Sequence, residues 1–128
     1  MTKSVRSWGP ALLLGLWTGI NLLQAAVTEL SYDEAYYWVC SRFPDWGYYE
    51  HPPLATMLIR IGYALLANEL GVRILFVLLS TGTIALMYRL TGGKDPMLFF
   101  AMIFSSFYFH IIGAAAIASA PVMFFSAL

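Results

Sequence analysis

Charge is the scarcest ingredient of this sequence: Asp, Glu, Lys and Arg make up 11% of its 128 residues, less than half of the roughly 25% usual in soluble domains. Hydrophobic residues make up 60%, and the mean hydropathy is +0.72. An ordinary soluble domain is excluded by that balance. Seven basic and seven acidic residues cancel, so no basic surplus points to nucleic acid, and none is expected as a partner. The lone Cys40 excludes an intrachain disulfide and any zinc-type cysteine spacing.

Long uncharged runs fill the space that charge leaves. Residues 9 to 28 carry none, and 20 helical residues reach roughly 30 Å, one bilayer core. Lys3 and Arg6 precede the run and place the N-terminus on the cytoplasmic side. The small residues of "LQAAVT" leave a cleaved signal peptide as the competing reading, and under both readings the next segment lies outside. A second span is expected over 72 to 90, with Arg73 and Arg89 snorkelling to the two interfaces. From Pro96 onward no charge appears, and a third span over 96 to 113 is expected to break at Gly113. A fourth is expected to start at 121, with Ser119 as N-cap and Pro121 in the first turn. That last helix has room for about eight residues, roughly 12 Å, so the chain reads as the N-terminal portion of a larger membrane protein.

Residues 53 to 68 are apolar but interrupted by Arg60 at mid-segment, where a charge in a bilayer costs several kcal/mol. Thr56, Arg60, Tyr63 and Ala67 fall at helical spacing, a pattern suited to a membrane surface. With this helix lying on the surface, the basic "RLTGGKDP" turn becomes cytoplasmic, as the positive-inside rule prefers. The fold expected is therefore all-α and multi-spanning, with an outer loop over 29 to 71 that carries two juxtamembrane helices.

The charge that the chain does have gathers in this loop. Five of the seven acids (Glu29, Asp33, Glu34, Asp45 and Glu50) lie within 22 residues, interleaved with aromatic rings. Ser31-x-x-Glu34 is a capping-box pattern, so a helix is expected from Tyr32 to Arg42 or Phe43, ending before Pro44. Asp33 falls in its first turn, at the positive end of the helix dipole, a setting that suits a carboxylate. Tyr36 and Tyr37 follow at helical spacing on its flank. The bland alternatives are plain ones. Rings anchor at the water–lipid boundary, Glu34 is a cap, Asp45 is a solvated turn residue, and His110 bonds within the helix bundle. Asp33 and Glu50 resist such readings, because ionisable groups beside a bilayer are costly and tend to be functional.

The ordered set "DEAYYW" and "DWGYYEHPPL", directly after one membrane helix, resembles the polyprenyl-phosphate-dependent glycosyltransferases of the GT-C superfamily, nearest to the protein O-mannosyltransferase and lipid A aminoarabinose transferase families. The resemblance covers about residues 8 to 125. It implies a multi-pass protein of the cell membrane, in bacteria the inner membrane, with its active-site loop on the outer face. It implies transfer of a sugar from a polyprenyl-phosphate donor to a hydroxyl or phosphate acceptor on a lipid, glycan or protein, with inversion at the anomeric carbon. Asp33 matches the family's base or acceptor-positioning acid, with Glu34 as its partner. Glu50 matches an acid near the donor phosphate that holds a divalent metal in some relatives, and His51 stands where some carry Lys. A carboxylate beside a phosphate needs a cation, either the metal or Arg42, with Tyr37 and His110 as supporting groups. One position departs from the pattern. Ser119 stands where relatives carry an acid, and serine is neither a carboxylate base nor a strong metal ligand. The alternative is a non-catalytic membrane subunit or degenerate fragment that binds a partner or lipid through this loop. A transporter is disfavoured because the acids lie outside the spans.

Overall fold

The computed structural model describes residues 3–48 and 52–128. Among them the chain is all-α, with seven helices and no strand: α1 Lys3–Val27, α2 Tyr32–Arg42, α3 Pro53–Leu65, α4 Glu69–Leu90, α5 Pro96–Ser105, α6 Phe107–Ala114 and α7 Ser119–Ala127. Two stretches are long and apolar enough to cross a membrane, Gly9–Val27 within α1 and Glu69–Leu90. They coincide with the first two expected spans.

α4 is the central post, packed against α1, α3, α6 and α7. Asn68 starts it by accepting the Gly71 N–H at 2.9 Å, and Gly92 and Gly93, both at positive φ, end it. Two apolar clusters lie along its length. One joins Val72 and Phe76 to Tyr37, Ala55, Ile59 and Ala120. The other joins Ile84 to Trp17, Phe100 and Ile103. α3 crosses α4 where Gly62 faces the Gly71 carbonyl, and a methyl group on either glycine would collide with backbone. The crossing is thus set by two missing side chains.

α2 has the expected bounds, and its capping box is fully formed. Ser31 Oγ accepts the Glu34 N–H at 3.4 Å, and Glu34 Oε2 accepts the Ser31 N–H at 2.9 Å. At the other end, the Tyr48 hydroxyl lies 2.7 Å from the Phe43 carbonyl and 3.0 Å from that of Cys40, covering carbonyls that the helix leaves open.

Four expectations need correction. α3 stops at Leu65 rather than 68, because Leu66 turns extended and Asn68 caps α4. The expected span over 96 to 113 is two helices of 10 and 8 residues, parted where Ser106 adopts φ −86°, ψ 108°. Neither piece alone has the length of a bilayer core. Ser119 is the first helical residue of α7 and not its N-cap. Ala118 already has helical dihedrals, and no side chain caps this end. Finally, Arg73 does not snorkel to an interface; it is 3% exposed, inside the bundle.

Candidate functional site

Arg73 is buried because it has somewhere to put all five of its N–H groups. Its Nε donates to Glu34 Oε1 and its Nη2 to Glu34 Oε2, both at 2.7 Å, a bidentate pair. Nη1 donates to the carbonyls of Ala25 (3.0 Å) and Thr28 (2.7 Å) and to Thr28 Oγ1 (2.8 Å), while Nη2 also reaches the Glu29 carbonyl at 2.8 Å. These are the open carbonyls where α1 ends and the chain leaves it. Glu34, 1% exposed, completes its own shell by accepting the Ala116 N–H at 2.8 Å, from the link between α6 and α7. Four segments are thereby tied at one point: the end of α1, the first turn of α2, the start of α4 and the link to α7.

The four acceptor positions of the Glu34 carboxylate are filled by Arg73 twice, by Ser31 and by Ala116. Burial alone would raise its pKa, but the Arg73 hydrogen bond, the Ala116 and Ser31 N–H groups and the Arg73 charge together outweigh it. The group is held below its ordinary value. A carboxyl depressed in the folded state stabilises the fold fully above the unfolded-chain value of about 4.3, and that contribution is lost as pH falls through the depressed value. Thermal unfolding compared between wild type and Glu34→Gln should therefore show a constant gap from neutral pH down to about 5, narrowing below about 4. A gap that closes already near pH 6 would contradict this assignment.

Asp33, one position earlier in the same turn, is exposed. No hydrogen bond or ion pair engages its carboxylate among the described residues. Its charge is felt at Tyr37, a buried ring on the same flank. There burial first, then Asp33, then Cys40 push the phenol above its ordinary range. Of the expected acidic pair, one member is consumed in the clamp and the other stands free on a helix turn that the clamp holds still.

Arg42 and His110, two further expected site residues, do not converge on Asp33. Arg42 lies nine residues on, and at 3.6 residues per turn that puts it on the opposite side of α2, about 13 Å further along. Its guanidinium rests 5.9 Å from the Trp38 ring. His110 belongs to the bundle: its ring lies 4.7 Å from that of Trp17, and its Nε2 is 3.0 Å from the Phe104 carbonyl beside the α5–α6 break. Trp17 is about 12 Å along α1 from Ala25, so His110 sits well away from the clamp. Asp45 is a turn residue whose Oδ1 accepts the Trp46 N–H at 2.7 Å. Glu50 and His51 lie outside the described residues. Among the described residues no group of three or more His, Cys, Asp and Glu is placed to hold a metal ion, and Glu34 has no acceptor position left to offer one.

Arg73 is the functional residue that sequence reasoning missed. Its signal was available: an arginine within an apolar helix generally faces the interior and pairs there. Its partner, 39 residues away, was not identifiable from local pattern. No protein-family model, curated protein or solved structure matches the chain.

Proposed function

We propose that the chain forms part of a membrane glycosyltransferase that passes a sugar from a polyprenyl-phosphate donor to an acceptor at the outer face, with Asp33 as the base. The observation that carries this reading is the division within the acidic pair: Glu34 is locked, while Asp33 is free and held on a fixed turn. The loop's resemblance to the GT-C enzymes supports it, as do the two long apolar helices that flank α2 and α3. In this reading α1 and α4 cross the membrane and α2 and α3 lie against its outer surface.

For a hydroxyl acceptor, the acceptor oxygen attacks the anomeric carbon as its proton passes to an Asp33 carboxylate oxygen. The bond between the anomeric carbon and the phosphate oxygen breaks, and the electron pair leaves with the polyprenyl phosphate. In-line displacement inverts the anomeric centre. A phosphate acceptor is already ionised and needs no base, so Asp33 then positions rather than deprotonates.

The topology is checked by cysteine labelling in a Cys40→Ser background. A cysteine at position 45 should react from the outside and one at 93 from the inside. Equal sidedness would end the reading, because α4 would then not be the single crossing between the two positions.

A second reading, a non-catalytic subunit, is favoured by one specific observation. Glu34 is saturated and Ser119 stands in place of an acid, so two positions that the resemblance assigns to acids offer no free carboxylate. Sugar transfer by the complete protein in reconstituted membranes separates the two readings.

A further inference from the structure

The arginine that the Asp33 region does not use faces another. Between α2 and α3 runs a groove of about 350 Å³, lined by Ser41, Arg42, Arg60, Tyr63 and Ala64. Tyr63 of this lining packs edge-on against Trp38 of α2, with ring centres 5.6 Å apart. Both arginines are exposed, and among the described residues neither lies within ion-pair distance of a carboxylate. No acid lines the groove; Asp45 lines a separate cleft that Arg60 also borders, and its Oδ1 accepts the Trp46 N–H. Two guanidinium groups thus line one small groove, Arg42 resting over the Trp38 ring, and no carboxylate among the described residues pairs with either.

What surrounds the groove is apolar. On α3, Leu54, Met57, Ile61 and Leu65 form an exposed stripe at helical spacing. On the α2 side Val39, Phe43 and Trp46 are exposed as well. Water would not favour that surface, whereas acyl chains would cover it.

We infer that this groove binds the headgroup of an anionic phospholipid, with the phosphate between Arg42 and Arg60 and the acyl chains along the α3 stripe. The guanidinium fork matches phosphate oxygens in pairs, and a headgroup phosphate brings the negative charge that neither arginine has in an ion pair. A zwitterionic lipid brings its own amine and offsets less of their charge. The occupant is not the sugar donor at its reacting position, since Arg42 is on the far side of α2 from Asp33. The inference rests on the membrane reading above but not on sugar transfer.

The test reconstitutes the whole chain in nanodiscs of equal phosphatidylglycerol and phosphatidylcholine and weighs the lipids retained on mild release. Wild type should keep phosphatidylglycerol preferentially. Arg42→Gln and Arg60→Gln should each lower that preference about fivefold, and the double variant roughly 25-fold, from the attraction of one surface arginine to an anionic headgroup. Lysine at both positions should restore part of it. Both side chains are exposed, so folding is preserved, and the circular dichroism of each variant should match wild type. An unchanged preference in the double variant overturns the inference. Displacement of the lipid by millimolar glycerol phosphate overturns it too, since the site would then be one for soluble phosphate. Failure to enter the nanodiscs overturns the membrane reading itself.

Discussion

Replacing Arg73 with alanine, with Glu34 left in place, is expected to cost about 3–5 kcal/mol of stability, the usual penalty for stranding one partner of a buried ion pair. The guanidinium supplies two of the four hydrogen bonds on Glu34 and the donors that cover the Ala25, Thr28 and Glu29 carbonyls. Without it a carboxylate is left buried beside apolar side chains, and the end of α1 loses its tie to α4. Glu34→Ala should cost a similar amount for the mirrored reason, and it also removes the acceptor for the Ala116 N–H that holds the α6–α7 link. The informative comparison is the double variant Glu34→Leu with Arg73→Met. Removing both charges eliminates the uncompensated one, so the double variant should be more stable than either single variant. Thermal unfolding in one detergent, followed by circular dichroism, reads all three. Single variants within about 1 kcal/mol of wild type, the range of an exposed ion pair, would show that the clamp is not the joint of the fold.

Asp33→Asn should behave in the opposite way. The side chain is exposed and outside the clamp, and the amide is nearly the same size, so the unfolding midpoint should stay close to that of wild type. Asparagine nevertheless has no basic oxygen with which to take a proton. In the complete enzyme with a hydroxyl acceptor, turnover should fall on the order of a hundredfold or more, the usual contribution of a positioned general base. With a phosphate acceptor the loss should be smaller, because no proton has to be removed. Asp33→Glu makes a useful companion: it keeps the charge but lengthens the reach, and should recover part of the rate if proton transfer is the role. Full wild-type turnover of Asp33→Asn on a hydroxyl acceptor would remove Asp33 from the chemistry.

How much of this was readable beforehand depends on how local each cause is. The α2 boundaries were legible because the capping box and Pro44 act within a few residues, and the two long helices were legible because length and apolarity are one-dimensional. The break at Ser106 was not legible. No glycine or proline marks it, and nothing in the linear pattern announced that His110 would turn back toward the Phe104 carbonyl. Glu34 shows the limit most clearly. Its capping role was visible from Ser31, but its larger role depends on Arg73 and Ala116, which come from other helices and loops. The same limit hid the pairing of Arg42 with Arg60. Periodicity placed each on its own helix, and only the packing of α2 on α3 put them in one groove.

The central claim is a division of labour inside the acidic pair, in which Glu34 holds the loop and Asp33 acts from it. The most direct measurement is sugar transfer per folded molecule for Asp33→Asn and Glu34→Gln of the complete protein, side by side in one reconstituted preparation. Asp33→Asn should yield a normal folded fraction that turns over about a hundredfold more slowly. Glu34→Gln should yield a reduced folded fraction whose surviving molecules transfer sugar at close to the wild-type rate. The reverse pattern, with Asp33→Asn active and folded Glu34→Gln inactive, would contradict the account.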